Sequence, residues 1–179
     1  MSTQPAQQQR GVTLIESMTV LTILSLVVGS ALPSFASLRQ RADLAGVAAQ
    51  VETDIQFARS QAAAFGGTVR MSLREGQGGT CYMIHTGPAA NCSCAGNQAA
   101  ACTGDAELLR AVALGAASDV QVRSASNSIV FDPVKGTVTP TATFRVEARD
   151  GRAIHQVVNL LGRVRSCSPG GRSGGEAAC

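Results

Sequence analysis

The chain has no tryptophan, one tyrosine and five phenylalanines among 179 residues. A core must therefore be built largely from Val, Leu, Ile and Ala. Histidine is equally scarce. His85 and His155 are the whole supply, and each stands alone in a segment of period-two patterning, where an imidazole is more often at the surface or hydrogen-bonded than a base. The glycine-rich stretch EGQGGT at 75–80 lacks the strand-to-helix context of a phosphate loop and reads as a hairpin turn. No internal repeat is present. These scarcities leave no catalytic constellation, so the expectation is a non-enzymatic protein with no cofactor and no metal site.

One long apolar run dominates what is there. Residues 17–32 (SMTVLTILSLVVGSAL) carry no charge, and counted from Val12 the run is 21 residues, about 32 Å as helix and enough for a bilayer core. Glu16 stands near its start. A carboxylate in lipid costs on the order of 3 kcal/mol at mid-depth and less near the end, so it needs a partner, or must snorkel to the membrane surface. Eleven residues, MSTQPAQQQRG, precede the run. A secretory signal peptide would place a cut near Gly29, Ser30 and Ala31, but its apolar core is only ~7–15 residues long.

Beyond Pro33 a helical pattern continues. Leu44, Ala48, Val51, Ile55, Ala58, Ala62 and Phe65 fall on one narrow face, with Asp43, Glu52, Asp54 and Arg59 off it, and Gly66 and Gly67 supply the stop. The period then changes to two. Segments 68–74, 80–86, 108–114, 120–123, 128–133, 142–148 and 152–161 read as strands between Gly, Pro, Asn and Asp turns. The expected fold class is α+β: a long N-terminal helix, one half transmembrane and one half amphipathic, packed on a disulfide-stabilised antiparallel β-sheet or sandwich. The stretch 88–107, rich in small residues and holding Cys92, Cys94 and Cys102, reads as an extended loop tied by bridges. Six cysteines beyond a membrane run point to disulfides. Fifteen pairings are open, with Cys167–Cys179 the leading pair; the spacings of Cys81, Cys92, Cys94 and Cys102 match no familiar zinc pattern.

The N-terminal stretch resembles the prepilin signature of the type IV pilin and type II secretion pseudopilin superfamily: Gly11, then Val12-Thr13-Leu14-Ile15-Glu16, then Pro33. The resemblance implies that a prepilin peptidase cuts between Gly11 and Val12, that the new terminus is methylated, and that the apolar helix stays on the mature chain. The new α-amino group would lie one helical turn from Glu16, and an ammonium paired with a carboxylate costs far less in a fibre core than either charge alone. Glu16 would then be the docking acid for a neighbouring subunit. Internally, FARSQAAAFGGTVRMSL, IVFDPVKGTV and VVNLLGRVRS are similar, in that order, to the FimT/GspH family of minor pilins and pseudopilins. The 88–107 insertion and the fourteen residues after Arg165 depart from it. The implied organisation is a leader (1–11), a transmembrane helix (12–33), its amphipathic half (34–66), a β-rich domain (67–166) and a C-terminal tail (167–179). The implied placement is a single pass of the inner membrane with a periplasmic domain, then a pilus or pseudopilus.

Charge is concentrated late. The formal total is only +3, but six arginines follow position 144. In GRVR (162–165) a glycine lets the chain turn, and two arginines at i and i+2 of an extended backbone would point the same way, about 7 Å apart. That suits successive phosphates of a nucleic-acid strand. Resemblance to FimT-type proteins whose GRxR holds DNA during uptake in natural transformation (competence) carries this role onto Gly162, Arg163 and Arg165. Arg172 would add a third contact, and Arg152 and Arg149 more if the last hairpin brings them alongside. The expected partner is the backbone of double-stranded DNA, read without sequence preference. The competing expectation is a structural minor pilin or type II secretion pseudopilin that primes fibre assembly, with those arginines merely solvated.

Overall fold

The computed structural model describes residues 11, 13–95, 98–171 and 176–179. It divides into two compact units, Met1–Arg39 and Gln40–Cys179. Helix α1 (Leu14–Phe65) contributes to both. Thr13 caps it: the Glu16 amide donates to Thr13 Oγ1 at 3.4 Å, as expected of a T-x-x-E start.

In the first unit the apolar side chains face outward, with Leu14 80% and Leu26 70% exposed. The hydroxyls fold back on the helix itself, Thr19 onto the Glu16 carbonyl at 2.9 Å and Thr22 onto that of Met18 at 2.8 Å. An apolar exterior with internally satisfied hydroxyls suits lipid or neighbouring helices. Among the described residues no helix is long and apolar enough to cross a membrane; Val12 and the side chains at 30–34, part of the apolar run, lie outside the described residues.

The second unit holds the core. Leu44, Ala48, Val51, Ile55, Ala58 and Ala62 are buried along one stripe of α1, as the spacing predicts. Two residues depart from the expectation. Phe65 is 71% exposed: the helix ends with it, Gly66 adopts φ 65°, and Val69 closes the core instead. Asp54, expected on the exposed side, is fully buried. Tyr82 Oη donates to it at 2.7 Å and the Arg110 guanidinium pairs with its other oxygen, while Arg110 also lies over the Phe57 ring at 4.9 Å. A buried carboxylate survives only with such donors. Burial, then the hydrogen bond to Asp54, pushes the Tyr82 hydroxyl up.

Two antiparallel sheets cover the helix. The first runs β5 (Leu108–Gly115), β2 (Gly79–Thr86), β1 (Val69–Gly76), β7 (Ser128–Asp132), β8 (Thr137–Thr139); the second runs β11 (Val164–Cys167), β10 (Ala153–Val158), β9 (Ala142–Ala148), β6 (Val120–Ser124). Tyr82 ties the first sheet to α1, and Gln156, whose side-chain amide donates to the Ala48 carbonyl at 3.1 Å, ties the second. Gln121 joins the sheets by accepting from the Thr80 amide and hydroxyl at 3.1 and 2.9 Å. The α+β expectation holds, with three corrections. The stretch at 88–107 is not a plain loop but carries a short 3₁₀ turn (Ala89–Asn91) and the hairpin β3 (Cys92–Ala95) and β4 (Gln98–Cys102). Cys92 and Cys102 face each other in that hairpin and are bridged, and Cys94 is bridged to Cys81 on β2. Strand β8, absent from the period-two pattern, is the second arm of a hairpin with β7, in keeping with the hairpin that IVFDPVKGTV resembles. The segment at 152–161 ends as a strand at Val158, and the chain turns and returns as β11, which contains Val164 and Arg165.

Candidate nucleic-acid interface

The turn between β10 and β11 is organised by one side chain. Asn159 Oδ1 accepts from the Leu161 amide at 3.0 Å and the Arg163 amide at 2.9 Å, while the Gly162 amide donates to the Asn159 carbonyl at 2.9 Å. This is the local geometry for which asparagine is favoured in turns. Gly162 adopts φ 70°, and a Cβ there would meet Val138 at 3.1 Å and the Arg59 side chain at 3.2 Å. Only glycine allows both the dihedral and the approach of Arg59.

Next to this turn lies an open groove of about 550 Å³, lined by Gln56, Arg59, Ser60 and Ala63 of α1 and by Gly162, Arg163 and Val164. The helix residues are spaced i, i+3, i+4, i+7 and form one stripe. Arg59, Arg163 and Arg165 are exposed. Among the described residues no acid pairs with any of the three. Arg165 does not line the groove: on β11 it lies on the face opposite Val164 and Ser166, and Ser166 faces the helix, donating to Gln156 at 2.7 Å and Glu52 at 3.3 Å. Arg165 sits opposite Val157, one row from Arg145, which itself lies opposite His155 and Arg123. Burial, then the charge of Arg145, lowers the His155 imidazole.

The other sequence candidates are elsewhere. Arg149 and Arg152 are in the turn between β9 and β10, at the far end of a six-residue strand, about 20 Å from the β10–β11 turn. The hairpin does not bring them alongside Arg163. Both are engaged: Arg149 donates to the Ala117 carbonyl at 3.0 Å and faces Asp119 at 3.6 Å, and Arg152 pairs with Asp150, whose carboxyl its hydrogen bond holds below the usual carboxylate range. Arg172 and Val12 lie outside the described residues. Gly11 is exposed, and Glu16 is exposed in the first turn of α1. All six cysteines are bridged, the third pair being Cys167–Cys179, as the sequence suggested. His85 is buried; Ser72 and His85 Nε2 are 2.9 Å apart and His85 Nδ1 meets the Thr86 carbonyl at 2.9 Å, and burial lowers the imidazole.

Sequence reasoning missed Arg59, which it placed merely off the buried face. The signal was available in the helical spacing of Gln56, Arg59, Ser60 and Ala63, but nothing in the sequence says that Gly162 comes to lie beneath Arg59.

A helix whose second half is wrapped by antiparallel sheets, closed by disulfides, is the architecture of a pilin-type subunit. The chain belongs to the family described as "Type II transport protein GspH", which matches residues 47–162, and the "Prokaryotic N-terminal methylation motif" matches residues 7–32. It is a structural subunit of the FimT/GspH minor pilin type, membrane-anchored before it joins other pilin subunits in a fibre. Among solved structures it is similar to the type IV minor pilin FimU of Pseudomonas aeruginosa, at 18% identity and a TM-score of 0.51, over 76% of this chain and 93% of that one; a second crystal form gives 17%, 0.48, 74% and 94%. At such identity the likeness is one of fold. Comparison with curated proteins returns no match.

Proposed function

We propose that this minor pilin holds DNA by its backbone at the β10–β11 end of the domain, through Arg163 and Arg165, in the uptake of transforming DNA, with Arg172 as a further contact. The observation that carries the reading is that Arg163 and Arg165 are exposed, with no acid partner among the described residues, while Arg149 and Arg152 are engaged by their own domain. A guanidinium without a protein carboxylate is the form that releases counterions when it meets phosphate. With no aromatic side chain on Gly162–Arg165, binding is sequence-blind, in the 10⁻⁴ to 10⁻⁶ M range typical of nonspecific contacts. Titration of residues 40–179 with mixed-sequence duplex at rising salt tests it: binding should be lost steeply with salt, and Arg163→Gln with Arg165→Gln should weaken it by roughly one to two orders of magnitude at low salt. Equal binding by that variant overturns the reading.

A second reading, a secretion pseudopilin that primes assembly without a DNA ligand, is favoured by the description of the matching family and by the end of the match at residue 162, before both arginines. Absence of binding in the same titration selects it. In either reading a prepilin peptidase cuts after Gly11, the helix crosses the inner membrane once with the domain in the periplasm, and the Val12 amine of one subunit meets Glu16 of another. Glu16→Ala should still insert in the membrane yet fail to enter fibres; normal incorporation refutes the pairing.

A further inference from the structure

We infer that Arg59, on helix α1, is a second wall of the DNA site: a phosphodiester lies in the groove between Arg59 and Arg163. This rests on the DNA-binding reading and assigns it a residue outside the GRVR motif.

Three features of the groove point to an anion. First, the charged donors in it are the two guanidiniums, and neither is already used. The Ser60 hydroxyl is spent on the Phe57 carbonyl at 2.8 Å, and the Gln56 amide leans on Glu52 at 3.4 Å, whereas Arg59 and Arg163 carry no side-chain partner among the described residues. Second, the acids close to the groove are occupied. Glu52 is engaged by Ser166 and Gln56. Asp132, which shares a neighbouring hollow with Arg59, caps its own turn through the Val134 and Lys135 amides at 2.9 and 3.0 Å and faces Lys135, so that its charge is turned to its own turn and not to Arg59.

Third, the space between the arginines is empty because the residues there are small. Ala63 is exposed on the groove wall and Gly162 has no side chain. Two permanently charged groups lining one small-residue groove can each present paired N–H donors to one phosphate or to successive ones. Arg165, on the other face of β11, then meets a further phosphate, so that the strand crosses the edge of the sheet.

Among the described residues the unit Gln40–Cys179 contains every buried core residue and all three disulfides, so it serves as the test protein, with a mixed-sequence duplex as probe. Arg59→Gln should bind about three- to tenfold more weakly at low salt, with the slope of log affinity against log salt flatter by about one. Ala63→Glu, which removes no arginine but puts a carboxylate into the groove at an exposed helix position, should weaken binding at least as much. Arg149→Gln should match wild type. If Arg59→Gln and Ala63→Glu both keep wild-type affinity and slope while Arg163→Gln loses binding, the groove is refuted and the DNA reading stands. If no arginine variant changes binding, the reading itself fails and the groove with it. Should Arg59→Gln fold poorly, Ala63→Glu decides alone.

Discussion

The two ends of strand β10 carry arginines in nearly equal number and opposite condition. At the β9–β10 end, Asp119 and Asp150 hold Arg149 and Arg152. At the β10–β11 end, Arg163 and Arg165, with Arg59 sharing a groove with Arg163, pair with no acid among the described residues. Arginine count says the ends are alike; the placement of two aspartates makes one a closed network and the other an open positive surface. A basic residue becomes a ligand contact where its neighbours leave it unsatisfied, and a structural one where they do not.

The extreme of the satisfied class is Arg110 against buried Asp54. Arg110→Ala should produce the largest effect, about 2–3 kcal/mol of lost stability in chemical denaturation, less than the ~3–5 of a wholly buried pair because Arg110 is 44% exposed. Tyr82 alone then holds the carboxylate. A loss under about 0.5 kcal/mol would show that the pair is not maintained in solution. Next, the two ends can be set against each other directly: Arg163→Gln with Arg165→Gln should weaken duplex binding by roughly one to two orders of magnitude at low salt, and Arg149→Gln with Arg152→Gln should leave it unchanged. Equal losses would erase the distinction.

The comparison can also be broken on purpose. Asp150→Asn removes the charge that engages Arg152 and should raise low-salt affinity about two- to threefold, the gain of one added phosphate contact partly offset by its distance from the groove. The smallest effect concerns pH. Burial lowers His85 from its ordinary value of 6.5, so the unfolded chain takes up the proton first. Its contribution to stability is complete above about pH 6.5 and is lost as pH falls below that toward the folded value. Melting temperature should be flat from pH 8 to 7 and decline toward pH 5, and His85→Asn should flatten the decline more than His155→Asn.

The helix stripe, the helix stop and most strands were legible because each rests on local periodicity, and the Cys167–Cys179 pair was reached as well. What escaped has a common cause. Asp54 breaks the polarity rule only because Tyr82 and Arg110, 28 and 56 residues away, arrive to satisfy it. β8 is three residues long, too short for a pattern. β3 and β4 are small-residue strands whose pairing follows a disulfide register. Arg59 joins the candidate site through Gly162, more than a hundred residues later. Residues 1–10 of the leader, Val12 and Arg172 lie outside the described residues and remain proposals from sequence.

The Asn159 turn has one more consequence. Arg163 has its amide given to Asn159 Oδ1 and its carbonyl receiving the Asn159 amide at 3.1 Å, so its main chain is immobilised before any ligand arrives. Only side-chain torsions are left to be frozen on binding. If the proposed DNA reading holds, affinity is then adjustable from a neutral residue: loosening Asn159 would add a backbone-entropy cost to each encounter while leaving every charge in place.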